Sequence, residues 1–478
     1  MFWRYNALDA AVTREIQLAQ RIELQQFGTQ AVFQHEMSLL QPLMACANRG
    51  IPLDIPAFTS LRTQLENEIA SLQLILDTIA GRPINVSSYG LKGDVGQLLY
   101  DQLKLPVQYN KETRQPSVDK DALIKLAASH PHPALLTILS IRERRTILQG
   151  PLSEDIVDHD FKVRTNYDPT GTRTGRLNSR APIIGKGTNM QNQTDKVRRL
   201  YVPIRGRVFI QPDYSQAEAR VVAYLAREQA LIDLLEDPTK DIHRFNASRV
   251  YGCAEKEVSY EMRFCAKRGT HSANYGVGAE KTMMVINQDA KDTWGKPGTG
   301  ITVDLNTARQ IVDGYFALYP RIKTIYWTDV VSQLKRDRTL TGVFGRKRTF
   351  FGRWDGGDEG KFLNAAYSYI PQNAVGDLCT MAMVRIEDSV KDATVLGNVH
   401  DSILVECEDD PNVVERVVDQ MATAMKIPLT VHGKTFYIPT EFAVGYNWGK
   451  AGKDGSNPQG LKDAHKWLEE RRKNFVTV

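Results

Sequence analysis

Asp213-Tyr214-Ser215-Gln216-Ala217-Glu218-Ala219-Arg220 follows the β-forming run Arg207-Val208-Phe209-Ile210-Gln211 and leads into residues with helical spacing. The pattern predicts a strand over 207–211, an end to its pairing at Pro212 and a helix over 216–226, which puts Asp213 at a strand-to-helix junction. A second acid stands in a similar place far downstream. Val395 to Val399 and Ile403 to Cys407 flank His400-Asp401-Ser402, a predicted β-hairpin with the carboxylate at its tip. Each acid alone has a plainer reading, Asp213 as a helix N-cap and Asp401 as a turn residue, because Asp suits both positions.

Between the acids lies Arg263-x3-Lys267-x3-His271-x3-Tyr275-Gly276. Residues four apart on an α-helix form one stripe that drifts by about 40° per step, so these four would face one ligand. Arg263 offers a planar fork and Lys267 a compact charge, a suitable pair for phosphate oxygens. Lys267 could also protonate a departing pyrophosphate. Tyr275 puts a stacking ring where Gly276 can release the helix into a turn. A solvated basic face with a core aromatic is the alternative, and it explains the four-residue beat poorly. If the two acids meet, they can hold a pair of Mg²⁺ ions roughly 3.5–4 Å apart, and the whole set reads as a nucleotidyl-transfer site.

Composition permits this. A chain of 478 residues should divide into about three domains. With 61 Lys+Arg against 56 Asp+Glu, the net charge of +5 is mild, so a nucleic-acid surface must come from local clustering. Five cysteines without metal-ligand spacing predict reduced thiols of an intracellular protein. No apolar run is long enough for a bilayer and the N-terminus lacks a signal-peptide core, so a soluble, cytoplasmic protein is expected.

The first third reads as mostly helical: an amphipathic stretch from Asp9 to Asn48, a long helix from Asp54 to Ala80 stopped by Gly81-Arg82-Pro83, short helices over 97–103 and 120–128, and a basic helix over 138–148 with Arg142, Arg144 and Arg145. Residues 164–199 read as a loop-rich basic surface, and Trp294 to Gly300 as an exposed loop within a helical region. Val413, Val414, Val417, Val418 and Met421 predict a helix packed on a sheet.

These residues resemble the motifs of the family A DNA polymerases, the class of bacterial DNA polymerase I and many bacteriophage replicases. Asp213 to Arg220 is similar to the family's DYSQIELR except at Ala217 and Ala219, the 263–276 stripe to its second motif, and Val399-His400-Asp401 to its third. Thr174-Gly175-Arg176-Leu177-Asn178-Ser179, Asn189-Met190-Gln191-Asn192, Asp241-Ile242-His243 and Tyr315-Phe316-x2-Tyr319-Pro320 are similar to its TGRLSS, NLQN, DIH and YFxxYP segments, giving coverage from about 40 to 448.

The resemblance implies an α+β right-hand fold with an antiparallel-sheet palm, helical fingers and a thumb. The boundaries it suggests are an exonuclease-domain remnant and linker at 1–47, thumb at 48–160, palm at 161–230 and 366–450, fingers at 231–365 and a tail at 451–478. It implies a template-directed DNA polymerase, a monomer working on primer-template DNA and dNTPs with two Mg²⁺ ions, for which Mn²⁺ can substitute. Asp213 and Asp401 would hold metal, assisted by the Tyr214 carbonyl. Glu218 would be the steric gate against ribose, and Gln216, His243, Arg263 and Lys267 would contact phosphates. Arg176 and Gln372 would read minor-groove acceptors at the primer end, checking shape over base identity, while His400 approaches the primer terminus.

Three departures from the family pattern concern four positions. His271 replaces the usual Phe or Tyr, which bears on dideoxynucleotide acceptance, and its imidazole can donate one hydrogen bond, as Tyr can. Asn364 and Ser368 stand where Arg and Asn are usual, and Ser402 replaces the acid after Asp401. Tyr5-Asn6-Ala7-Leu8-Asp9 has the spacing of the last 3′–5′ exonuclease motif, but residues 1–45 hold no other Asp, so no proofreading is expected. Lys104, Lys111, Arg114 and Lys120 would follow duplex phosphates or be ordinary surface charge. The tail reads as a solvated helix in preference to a partner contact. A single-subunit RNA polymerase and a non-catalytic nucleic-acid-binding subunit are the rival readings. Glu218 and Gly175-Arg176-Leu177 argue against the first, and the retained acids and Lys267 against the second.

Overall fold

The computed structural model describes residues 2–110, 113–294, 297–352, 359–452 and 454–476; Lys111, expected on the duplex side, and Gly295 and Lys296 of the expected loop lie outside them. Helix α1 (Phe2–Gln26) buries none of its residues. Helix α2 (Gln30–Arg49) buries Leu39, Leu43 and Cys46 in the main core. Helix α3 (Ile55–Ala80) starts where the Asp54 carboxylate accepts the Ala57 N–H, with proline in its first turn, and stops at Gly81, whose φ of 69° suits a residue without Cβ. It packs against α4 (Pro133–Gln149). Residues 97–102, expected as an ordinary helix, form a π-helical turn.

The α4 arginines do not form a free basic face. Arg142 donates to the Val86 and Val118 carbonyls at 2.8 and 2.5 Å, and Arg144 to Glu68 at 2.8 Å, so both hold this lobe together. Lys104, Arg114 and Lys120 are exposed.

Five strands make one antiparallel sheet: β1 (Arg207–Tyr214), β2 (Thr394–Val399), β3 (Ser402–Glu408), β4 (Thr440–Gly445) and β5 (Lys462–Asp463), in the order β5-β4-β1-β3-β2. Pro212 does not end the pairing of β1. The ladder to β4 runs through it, opposite Phe442, while the ladder to β3 passes from Ile210↔Val405 to Asp213↔Ser402. The N–H that proline lacks falls in that gap. Val208, Ile210 and Tyr214 face the main core, and Phe209, Gln211 and Asp213 the other side, where Phe209 joins Tyr201, Leu404 and Trp448.

Helix α5 (Ala217–Leu225) follows β1 directly. The second helical lobe is built on α6 (Ile242–Tyr251), α7 (Tyr260–Asn274) and α8 (Leu305–Leu318). Gly269 lets α7 close on α8: a Cβ there would lie 2.1 Å from Ile311 Cγ2. The long α9 (Glu359–Ser389) crosses beneath the sheet beside α10 (Pro411–Met425), whose Val414, Val417 and Met421 are buried as the periodicity predicts.

Four expectations need correcting. Residues 164–199 contain the short paired strands Asn166–Asp168 and Asn178–Arg180, and Tyr167 is buried, because polar residues satisfy one another there. Trp294 is only 5% exposed, packed in the apolar cluster of Ile51, Leu65 and Trp448 with the Lys196 ammonium 5.1 Å over its ring. The tail is not solvated: α11 (Ala464–Val476) buries Ala464, Trp467 and Leu468 in the main core, and Arg471 and Arg472 pair with Asp409 and Glu415 at 3.0 and 2.6 Å. The strand expected to stop at Gln211 continues to Tyr214, so the turn and helix begin later than expected. All five cysteines are free, as expected.

Candidate active site

The β2–β3 hairpin has His400-Asp401 as its two-residue tip, and His400 takes a φ of 56°. Asn398 braces the tip: its amide donates to the Ser402 and His400 carbonyls at 3.0 and 3.4 Å, while its own backbone exchanges hydrogen bonds with the Tyr167 hydroxyl. Since β1 pairs Asp213 with Ser402, the register puts Asp213 beside the tip that carries Asp401. Solvent reaches Asp213 from one side and protein crowds it on the others. That crowding and the Asp401 charge push its carboxyl up to about 6, with Lys450 pulling the other way. Asp213 is not an N-cap, for the residue before α5 is Gln216, at a φ of 52° and with no capping hydrogen bond. Tyr214 sends its ring into the core, its hydroxyl donating to the Met425 carbonyl at 2.9 Å, which leaves only its backbone on the site side. Ser402 is turned inward, donating to the Val399 carbonyl at 2.9 Å.

Arg176 ties three motifs together. Its Nη2 lies 2.5 Å from Glu218 Oε1 and 3.1 Å from Asp401 Oδ1, and the Tyr275 hydroxyl donates to the other Glu218 oxygen. Burial opposes the Arg176 charge, but the two carboxylates outweigh it and raise its pKa. Gly376 on α9 leaves room for Arg176, as a Cβ there would come within 3.0 Å of Arg176 Cγ. Gln372 lies one turn before Gly376 on the same face of α9. Gly175, at a φ of 77°, admits the Arg346 guanidinium, itself bound to Asp377 at 3.0 and 2.9 Å.

On α7 the predicted stripe is the open face: Lys267 and His271 are exposed, while Cys265, Ala266, Gly269 and Thr270 are buried. Tyr275 falls just past the helix end, and the His271 ring meets it edge-on at 5.7 Å. Arg263 Nε donates to Asp241 Oδ2 at 2.6 Å, and the other Asp241 oxygen caps α6 through the His243 and Arg244 N–H groups at 3.0 and 3.1 Å. Burial and the Lys267 and Arg263 charges push His243 down to about 4, so it is neutral at pH 7. Crowding by protein and the Arg263 charge lower Lys267 as well. Gly276, at a φ of 72°, abuts Asn364, whose Oδ1 would lie 2.7 Å from a Cβ there. The departure at 364 thus meets the end of the stripe.

The donor set suits divalent cations. The Asp401 charge raises the cost of ionising Asp213, and a doubly charged ion between them would relieve it. Sequence reasoning missed the bracing pair Tyr167 and Asn398. Only Asn398, three residues before Asp401, carried a hint, as a polar residue inside an otherwise apolar strand.

The description of DNA polymerase family A matches residues 56–450. The chain belongs to DNA polymerase family A. DNA polymerase I of Pseudomonas aeruginosa is 26% identical over 94% of this chain and 47% of that protein; the Mycobacterium bovis enzyme is 28% identical over 86% and 43%, and the thermostable Thermus filiformis enzyme 27% identical over 88% and 48%. The chain spans about half the length of the curated relatives it matches. A solved structure, the POL domain of Pol1 from M. smegmatis in complex with DNA primer-template and dNTP, is similar in fold, with a TM-score of 0.74 at 24% identity over 89% of this chain and 72% of that one. The α+β right-hand architecture of family A polymerases is therefore the fold of this chain, and its palm is the five-stranded sheet. No helix among the described residues is long and apolar enough to cross a membrane.

Proposed function

We propose that this family A chain is a template-directed DNA polymerase that adds dNTPs to a primer 3′ end. The observation that carries the reading is the meeting of Asp213 with Asp401, enforced by strand register. Residues 48–160 act as thumb, 161–230 and 366–450 as palm, and 231–365 as fingers. A monomer working in the cytoplasm suffices for this chemistry.

Asp213 and Asp401 would hold two Mg²⁺ ions, with the Tyr214 carbonyl assisting. Those ions supply activation of the attacking 3′ oxygen and charge stabilisation at the leaving one. Arg263 and Lys267 bind the triphosphate, and Lys267, its pKa lowered, is suited to give a proton to pyrophosphate. Gln216 and neutral His243 offer further hydrogen bonds to phosphate. Tyr275 stacks on the incoming base, with His271 edge-on behind it. Arg176 and Gln372 would read the minor groove, and His400, at the hairpin tip, would approach the primer end. The Arg176–Asp401 pair would have to loosen for Asp401 to hold a cation, so rearrangement would precede chemistry. Lys104, Arg114 and Lys120 add sequence-independent phosphate contacts. Tyr5 and Asp9 ride on α1, which buries no residue, and we assign this chain no proofreading.

The test is extension of a primed DNA template with all four dNTPs, and separately with rNTPs. dNTPs are expected to be strongly preferred; rNTP use equal or better would mean an RNA polymerase, and no extension a binding subunit. The same protein with Mg²⁺ and no nucleotide should leave a mismatched end-labelled primer at full length.

A pH effect follows from Asp213. Its folded pKa of about 6 lies above the ordinary value of 3.8, so its contribution to stability is full below about pH 4 and is lost as pH rises through 6. A cation binds only the ionised form and restores what is lost. Mg²⁺ should raise the Tm at pH 8 and not at pH 5. At subsaturating Mg²⁺ the extension rate should fall as pH drops through about 6, and added Mg²⁺ should move that limb to lower pH.

A further inference from the structure

Four groups hold the backbone from which Arg176 projects. The Asn373 amide on α9 donates to the Thr174 carbonyl at 3.0 Å. The Arg346 guanidinium lies on Gly175, its Nε 2.5 Å from where a Cβ would be. Gly376 meets Arg176 itself, a Cβ there falling 3.0 Å from Arg176 Cγ and 3.2 Å from its backbone nitrogen, and the Thr172 hydroxyl donates to the Arg176 carbonyl at 2.6 Å. Arg176 Nε has no hydrogen-bond partner among the described residues, so the aim of the side chain follows from this backbone and from the grip of Glu218 and Asp401 on Nη2.

Two of the four groups share one acid. Asp377, 2% exposed, accepts Arg346 Nε and Nη2 on Oδ1 at 3.0 and 2.9 Å, and the Asn373 amide on Oδ2 at 3.0 Å. Arg346 Nη2 also donates to Glu36 on α2, which lies ahead of the residues 56–450 that match the family. Arg346 sits at the turn of the hairpin formed by Thr339–Thr341 and Lys347–Thr349, where its carbonyl accepts from the Gly342 N–H at 2.7 Å and from the Tyr369 hydroxyl at 3.0 Å. The next residue, Lys347, donates to the Phe27 carbonyl ahead of α2 at 2.6 Å.

An ion cluster that only joined α2, the hairpin and α9 would not have to touch the loop of residues 172–176. Here Nε, Cζ and Cδ of Arg346 fill the space that a side chain at 175 would take, one residue before Arg176, and the second oxygen of Asp377 orients the amide that holds residue 174. An arginine between two carboxylates cannot shift without stranding a buried charge, so what it touches is fixed with it.

We propose that Arg346, held by Glu36 and Asp377, is a positioning residue for Arg176: it fixes residues 174–176 so that Arg176 meets Glu218, Asp401 and the primer end together, and through Glu36 it makes α2 part of the support of the active site. This rests on the polymerase reading above.

Single-turnover extension by the full chain with Arg176→Ala, Arg346→Ala and both together tests it, the burst amplitude counting folded enzyme so that lost stability stays out of the rate. At saturating dNTP, Arg176→Ala should be slower by about a hundredfold and Arg346→Ala by about thirtyfold, with the KM for dNTP within about threefold of the parent because the triphosphate is held on α7. The double variant should match Arg176→Ala within about twofold, since Arg346 has no effect once the side chain it positions is gone. Rates that multiply in the double variant would overturn the proposal, as would Arg346→Ala within about twofold of the parent. If Arg346→Ala does not fold, Glu36→Gln takes its place: a rate at least about threefold below the parent that disappears in the Arg176→Ala background supports the proposal, and an unchanged rate overturns it. If the parent extends no primer, the polymerase reading fails by itself, and hydrogen exchange decides the positioning alone. The amides of residues 172–177 should then exchange at least about threefold faster in Glu36→Gln than in the parent, with those of β1 unchanged, and equal exchange at 172–177 would overturn it.

Discussion

Asp213→Asn and Asp401→Asn should each slow single-turnover extension by at least about a thousandfold while primer-template affinity moves less than about threefold. An amide keeps the shape of the carboxylate but removes the charge on which cation binding depends, so the loss falls on the chemical step. The DNA is expected to be held elsewhere, by Arg176, Gln372 and the exposed Lys104 and Lys120. Asp213→Asn should also raise the Tm without metal at pH 8, because it removes a crowded charge whose ionisation Asp401 opposes. Solvent access at Asp213 limits that gain to about 1 kcal/mol. The two readouts move in opposite directions, which separates loss of catalysis from misfolding. Extension within tenfold of the parent in both variants would remove these acids from the mechanism.

Glu218→Ala should lower the preference for dNTP over rNTP by about a hundredfold. Glu218 is half-buried and held from both sides, by Arg176 at 2.5 Å and by the Tyr275 hydroxyl. A ribose 2′-hydroxyl entering there must displace a carboxylate with two charge-assisted or hydrogen-bonded partners, and truncation removes that obstacle. The variant should also lose about 2 kcal/mol of stability, since Arg176 keeps only Asp401 and the tyrosine hydroxyl loses its acceptor. Glu218→Gln, which still fills the space, should shift discrimination by only about tenfold. Measuring dNTP and rNTP incorporation opposite one template base with the three proteins checks both steps. Unchanged discrimination in Glu218→Ala would assign the gate to another residue.

Local patterns were legible where the physics is local. The four-residue beat of Arg263, Lys267 and His271 is helix geometry, and α7 carries it on its open face as read. The hairpin around Asp401 and the buried valines of α10 follow from alternation and periodicity over a few residues. Pro212 was misread because its effect depends on which neighbour its nitrogen faces, and only the register of β1 between β3 and β4 decides that. The sequence shows a basic helix at α4 but not that the Val86 and Val118 carbonyls await Arg142. Trp467 and Leu468 were masked by the charges around them, although those charges point outward to Asp409 and Glu415.

By itself the sequence determined the family, the helical stripe, and the two strand-end positions of the acids, because motif spacing and backbone periodicity are properties of neighbouring residues. The tertiary structure alone decided that Asp213 and Asp401 lie together and that Arg176 bridges Glu218 and Asp401. Those meetings join residues from distant parts of the chain, and they are set by strand register and by packing around glycines such as Gly376, which no local pattern encodes.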